Sequence, residues 1–178
     1  MRAARWVNGV LEVLDDEPGR VSQALDIGNE GHILVAKWTP QVTPVPSEVT
    51  PGGVYNRIDL VDGIVGVLHQ GTFTRIVSGI PGYTALSARQ VNASGTVIGT
   101  VFSDPPPPGG SYKTPRAYLW QNGQMQDLTT LVASKGVKLP TGTVLSNVVS
   151  INDQGSLVVG FEHPSTKKQT YVRLQARP

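Results

Sequence analysis

The chain reads as an all-β protein of tandem four-stranded antiparallel units, β-propeller-like, amounting to a partial propeller of a little over three blades. Three observations predict this. One phrase recurs: Ala24-Leu25-Asp26-Ile27 ahead of Gly31-His32-Ile33-Leu34, Ala88-Arg89-Gln90-Val91 ahead of Gly95-Thr96-Val97-Ile98, and Val148-Val149-Ser150-Ile151 ahead of Gly155-Ser156-Leu157-Val158. A second phrase alternates with it: Trp6-Val7-Asn8-Gly9-Val10-Leu11 then Leu14, and Trp120-Gln121-Asn122-Gly123-Gln124-Met125 then Leu128. Its degraded middle copy is Leu68-His69-Gln70-Gly71-Thr72-Phe73 then Ile76. Self-similarity at about 40–60 residues marks a repeat architecture. The third observation is compositional: 20 Gly, 14 Pro, only 16% charged residues, abundant valine and no long 3.6-residue apolar period, which favours strands and turns over helices.

Each element follows from local chemistry. Arg2 to Trp6 aligns with Arg116 to Trp120, the third strand of a unit, so residues 1–15 are a half-unit. A complete unit spans 23–77, a second spans 86–131, and an incomplete one of three strands spans 146–178, making about thirteen strands in one repeat domain. In the third copy, Val148 to Ile151 is a strand and Asn152-Asp153-Gln154-Gly155 a turn. Asn and Asp cap such turns by bonding the following backbone, and Gly supplies the positive φ. Ser156 to Phe161 returns as a strand whose Leu157-Val158-Val159 run suits a sheet covered on both faces. Arg116 to Gln121 and Gln124 to Leu128 flank Asn122-Gly123, the strongest short-range hairpin signal. The length variation falls in segments read as loops, 39–54 and 103–115, both Pro-rich, and 132–145.

Arg116-Ala117-Tyr118-Leu119-Trp120-Gln121-Asn122-Gly123-Gln124-Met125-Gln126-Asp127-Leu128 resembles the signature of the HAF repeat family, and Val149-Ser150-Ile151-Asn152-Asp153-Gln154-Gly155-Ser156-Leu157-Val158 resembles its companion phrase. Gly71-Thr72-Phe73-Thr74-Arg75-Ile76, Pro81-Gly82-Tyr83-Thr84 and Val91-Asn92-Ala93-Ser94-Gly95 resemble a second variant of the family. The resemblance spans most of the chain outside the Pro-rich loops. Tyr118 stands where the family has Phe, Arg116 where it has His, Gly28 where a turn Asn is expected, and Thr129 where Gly would follow Asp127-Leu128. The resemblance implies an exported, propeller-like protein and carries no common biochemical activity. No signal peptide is visible in this chain, since Met1-Arg2-Ala3-Ala4-Arg5-Trp6 has no apolar stretch behind it.

A chain opening half-way through a repeat admits three readings: a C-terminal part of a longer protein, a homodimer in which two copies complete one propeller, or terminal half-units that pair in a small distorted barrel.

Composition excludes several function classes. The formal charge is +2 with scattered basic residues, unlike the basic stripe with interleaved aromatics of a nucleic-acid binder. Absence of cysteine removes disulfides, thiolate metal sites and a cysteine nucleophile. No apolar run approaches the roughly 20 residues that a spanning helix needs. Meander order predicts that His32 and His69 lie at the tight-turn end and His163 at the other, so a three-histidine metal site is not expected. Asp15-Asp16-Glu17 reads as a solvated turn, Pro105 to Pro108 as a stiff spacer, and Asn92-Ala93-Ser94 as the repeat's own turn. No serine lies in a nucleophile elbow and no glycine loop cradles phosphate.

Meander order also gathers the long loops on one face, where variable function collects. They offer Tyr55, Arg57, Tyr83, Tyr112, Lys113, Lys135 and Lys138 as candidate ligand-binding residues, because Tyr and Arg stack on sugars or anchor protein partners. The expected function is a non-catalytic module binding a carbohydrate or protein at that face, without cofactor or metal. The alternatives are part of an extracellular hydrolase or lyase with its catalytic residues on other blades, or a purely structural segment.

Overall fold

The computed structural model describes residues 1–15, 17–46, 54–106 and 108–175, with backbone alone at 46, 54 and 55. The described residues form thirteen strands: β1 (Ala4–Val7), β2 (Val10–Val13), β3 (Val21–Ile27), β4 (Ile33–Pro46), β5 (Val54–His69), β6 (Thr72–Ile76), β7 (Tyr83–Val91), β8 (Val97–Ser103), β9 (Arg116–Gln121), β10 (Gln124–Asp127), β11 (Asn147–Ile151), β12 (Leu157–Glu162) and β13 (Gln169–Leu174). One helix, α1 (Leu128–Ser134), follows β10. The sheets are β1-β2, β3-β4-β5-β6, β7-β8-β9-β10 and β11-β12-β13, each in sequential order. The chain is all-β, its described strands forming antiparallel sheets of two, four, four and three strands.

The turn chemistry is repeated too. Asn8-Gly9, Gln70-Gly71 and Asn122-Gly123 all hold both residues at positive φ, 49° and 81°, 48° and 77°, and 51° and 80°. That is the backbone a two-residue hairpin needs to match strand twist. Gln70 thus adopts the Asn conformation in the degraded copy.

Two segments depart from the sequence reading. The first is 39–54, expected as a loop: β4 runs on to Pro46 and β5 begins at Val54, so the hairpin arms are 14 and 16 residues long, while 47–53 lie outside the described residues. Pro40, Pro44 and Pro46 share one parity, so their missing N–H groups all address the same edge of the strand. β3 has seven residues against fourteen in β4, so β3 is too short to pair with all of β4, and proline is tolerated where a strand edge has no ladder. The second is the stretch from Leu128, expected as a strand end and then loop, which is α1. Asp127 caps it by accepting from the Thr130 amide at 2.9 Å, the preferred role of Asp at that position. Leu128 and Val132, one turn apart, are buried. Seven residues are too few to show a period in sequence.

The chain divides into two compact units, one of residues 1–24 and 35–65, the other of 25–34 and 66 onward. In the first, Ser22 ties the amino terminus down: its Oγ accepts from the Ala3 amide and its own amide donates to the Met1 carbonyl. Lys37, 7% exposed, bonds Asp15 at 2.8 Å. Burial pushes the Asp15 carboxyl up, but hydrogen bonds from Lys37 and Ser22 and the Glu17 amide prevail and hold it below its ordinary value. In the β1-β2 hairpin, Trp6 lies opposite Leu11 and Ala4 opposite Val13. Trp6, Leu11 and Val13 stand 72%, 52% and 55% exposed.

The second unit holds an apolar cluster. Ile98 and Ala117 on the β7–β10 sheet meet Val148, Leu157, Val159 and Phe161 on the β11–β13 sheet, with Leu128 and Val132 of α1 and Leu145 closing one end. The three copies of the first phrase interlock at their turns. Asp26 accepts from the Val91 amide at 2.8 Å and Gln90 from the Ile151 amide at 3.0 Å, so equivalent residues of successive copies make the same bond. Asp153 accepts from the Ala93 amide and the Asn29 side chain. β7 and β11 each carry a bulge at the equivalent position, between Ala88 and Gln90 and between Val148 and Ser150, and Arg89 Nε donates to the Val149 carbonyl. Bulges conserved in position re-aim side chains, here Gln90 toward the next copy.

Candidate functional site

A cleft of about 480 Å³ opens in the second unit, a volume in the range of small-ligand sites. Its walls are the 79–81 segment before β7, the edge strand β10, and α1. Ile80, Pro81, Met125 and Leu131 make it apolar; Arg116, Gln126, Asp127, Thr130 and Ser134 give it polar points.

Its charged groups are built by the hairpin. Tyr118 pairs with Asp127 across β9-β10, which brings Arg116 at the start of β9 to the end of β10. Arg116 Nη1 donates to Asp127 Oδ2 at 2.8 Å, and Nε donates to the Tyr83 hydroxyl at 3.2 Å. The hydroxyl in turn donates to the Thr114 carbonyl at 3.0 Å. Hydrogen bonds to Asp127 and then Tyr83 outweigh burial and raise the Arg116 pKa, so the guanidinium keeps its charge. Arg116 also lies over the Tyr83 ring, 5.6 Å from its centroid, and Lys113 Nζ lies 5.9 Å from the same centroid. Asp127 spends both oxygens, one on Arg116 and one on the Thr130 amide.

The seven candidate residues divide. Tyr83 and Lys113 come together at this end of the sheet. Tyr83 is 6% exposed, so its ring is a buried seat for two cations rather than a stacking surface for a ligand. Tyr112 is 70% exposed beside Lys113. Lys135 is the exposed C-cap of α1, one residue beyond Ser134 in the cleft wall, and Lys138 is exposed in the segment after it. Arg57 belongs to the first unit and pairs with Asp59 at 2.9 Å. The side chain of Tyr55 lies outside the described residues. Arg116 and Asp127 were missed as site residues. Both lie inside the repeat phrase, where each reads as an ordinary strand residue.

The histidines are arranged as meander order predicts, with one addition. His32 and His69 stack at 3.8 Å between ring centroids, 9° from parallel, and both Nδ1 atoms are buried without a hydrogen-bond partner. His163 instead accepts from the Ser165 and Thr166 amides. Parallel rings aim their lone pairs side by side, not at a common point, so the pair does not form a chelate. Among the described residues no group of three or more His, Cys, Asp or Glu could hold a metal. Burial, then the neighbouring His69, lower the His32 pKa against the opposing effects of the Ala93 backbone and Glu30. A depressed folded value means the unfolded chain takes up the proton first. Stability is therefore full above the unfolded value of 6.5 and falls as the pH drops from there toward the folded pKa. Urea midpoints between pH 7.5 and 5.5 are expected to fall for the natural chain and to change less in His32→Phe, which keeps the stack without the proton. An equal fall in both would detach this slope from His32.

Burial likewise pushes the Tyr118 phenol far above its ordinary range, and its hydroxyl has no partner. It contacts Gly99, where a methyl would come within 2.7 Å of the phenol oxygen, and serves packing. No family model, curated protein or solved structure matches the chain.

Proposed function

We propose that the chain is a non-catalytic β-propeller-like module that takes a protein partner, as an extended segment, in the cleft between the 79–81 segment, β10 and α1. The observation that carries this reading is the composition of the cleft: apolar walls from Ile80, Pro81, Met125 and Leu131, beside an Arg116–Asp127 pair joined at 2.8 Å. Asp127 serves the scaffold as ion-pair partner of Arg116 and cap of α1, and among the described residues no second carboxylate and no histidine lines the cleft beside it to complete an acid–base pair. Carbohydrate is the weaker of the two expected ligands here, since sugars are gripped by exposed aromatic faces and none of the residues lining the cleft is aromatic. Apolar side chains alternating with hydrogen-bonding groups suit an extended peptide beside an edge strand.

Selection of a random heptapeptide display library on the natural protein and on Ser134→Trp tests this. Ser134 is exposed at the end of α1, so tryptophan there fills the cleft without entering the core. The expected result is a family of enriched sequences whose binding is lost on Ser134→Trp. No enrichment, or enrichment indifferent to the substitution, sinks the proposal.

A further inference from the structure

The elements around the cleft have an unbalanced charge. Segments 77–88 and 103–146 carry four basic residues, Lys113, Arg116, Lys135 and Lys138, and two acidic ones, Asp104 and Asp127. Both carboxylates are occupied from within: Asp127 as described, Asp104 by the amide and hydroxyl of Thr84. Among the described residues, Lys113, Lys135 and Lys138 have no carboxylate in salt-bridge range, and Arg116 Nη2 donates to no partner. Lys113 Nζ is held against the Tyr83 ring and beside Gly82, where a methyl would come within 2.9 Å of it. Two cations are thus seated on one buried tyrosine, one of them, Arg116, lining the cleft, and one carboxylate answers them.

We propose that the segment the cleft takes is acidic, one of its carboxylates meeting the unpaired side of the Arg116 guanidinium and Lys113 supplying a second positive charge. This rests on the reading of the cleft as a peptide site. A carboxylate suits this position because Arg116 Nη2 keeps its N–H donors while Nε and Nη1 are engaged, and a hydrogen bond between two charged groups is stronger than one between neutral groups. An apolar residue beside the acidic one would lie on Ile80, Pro81, Met125 and Leu131. Lys135 and Lys138 extend the positive field past the far end of α1, so acidic residues along the segment gain from long-range attraction even where they make no contact.

Fluorescence anisotropy with three labelled, blocked octapeptides distinguishes the outcomes: alternating Glu and Leu, alternating Gln and Leu, and alternating Lys and Leu. Glutarate serves as unlabelled competitor. The acidic peptide is expected to bind most tightly, to weaken as salt rises from 50 to 300 mM while the Gln peptide does not, and to lose about threefold to fivefold in affinity on Lys113→Gln, a typical effect of one exposed charge. Lys113→Arg should restore it. Lys113 is exposed, so these variants leave the core intact. Equal binding of the acidic and Gln peptides would overturn the acidic assignment while leaving the peptide site standing. Glutarate competing as well as the whole acidic peptide would overturn the peptide as source of the carboxylate. Failure of all three peptides, with no library enrichment, would remove the peptide site itself.

Discussion

Leu128→Ala is expected to lower the free energy of unfolding by about 3–5 kcal/mol, the upper part of the range for a leucine truncated in a closed core. Leu128 is fully buried, and it packs in the cluster with Ile98, Ala117, Leu145 and Val159. It is also the first residue of α1, directly after the Asp127 cap. The cavity would lie under the helix that walls the cleft, and a seven-residue helix has no stability of its own to resist it. Peptide binding should therefore fall with stability. Urea unfolding with an unchanged m-value would report the loss, and Leu128→Met, which nearly conserves volume, should cost less than about 1.5 kcal/mol. A loss below about 1 kcal/mol for the alanine variant would show that α1 does not close this core.

Gly28→Asn gives the second large effect, and its sign runs against the repeat. The other two copies have Asn92 and Asn152 at this position, and both cap their turns: Asn92 Oδ1 accepts from the Ser94 and Thr96 amides, and Asn152 Oδ1 from the Ser156 amide. The backbone of all three turns is the same, with residue 28, 92 or 152 receiving the amide of residue 31, 95 or 155. From the alignment alone, asparagine would restore a missing cap. In the fold, a Cβ at Gly28 would come 2.5 Å from the Asn92 carbonyl oxygen and 2.7 Å from its carbonyl carbon. These are backbone atoms in an interlocked turn and cannot rotate away. The substitution, like Gly28→Ala, is expected to destabilise by about 2–3 kcal/mol, read as a drop in thermal midpoint. Asn29→Ala beside it removes one exposed side-chain bond to Asp153 and should cost only about 1 kcal/mol. Stabilisation by Gly28→Asn would mean that the first and second turns do not approach as closely as the structure shows.

Much of the fold was legible because the residues that set it act locally. Asn-Gly at 8–9 and 122–123, and even Gln-Gly at 70–71, dictate a tight hairpin wherever they stand, since few residues tolerate positive φ in succession. Asn92 accepts from backbone amides two and four residues on, and Asn152 from the amide four residues on. The arms of β4 and β5 were misread because proline is a turn signal in most settings, and only the length of the neighbouring strand decides whether its missing N–H matters. The cleft was partly legible: Tyr83 and Lys113 were singled out from loop position, but for contact with a ligand, whereas the buried ring positions cations. Arg116 and Asp127 went unread because each fits the repeat phrase as a strand residue, and their bond depends on hairpin register.

The sequence by itself determined the strand order, the tight turns and the spacing of the units, all properties of short stretches repeated in tandem. The tertiary structure alone decided which copies of the same residue are buried. Trp6 and Trp120 occupy the same place in the same phrase, yet one is 72% exposed and the other 4%. Likewise Gly28 and Asn92 hold the same position in two equivalent turns, but only the approach of one turn to the other excludes a side chain at 28. Local propensity depends on neighbours in the chain, whereas burial and steric exclusion depend on neighbours in space, which a repeated phrase specifies identically and its surroundings do not.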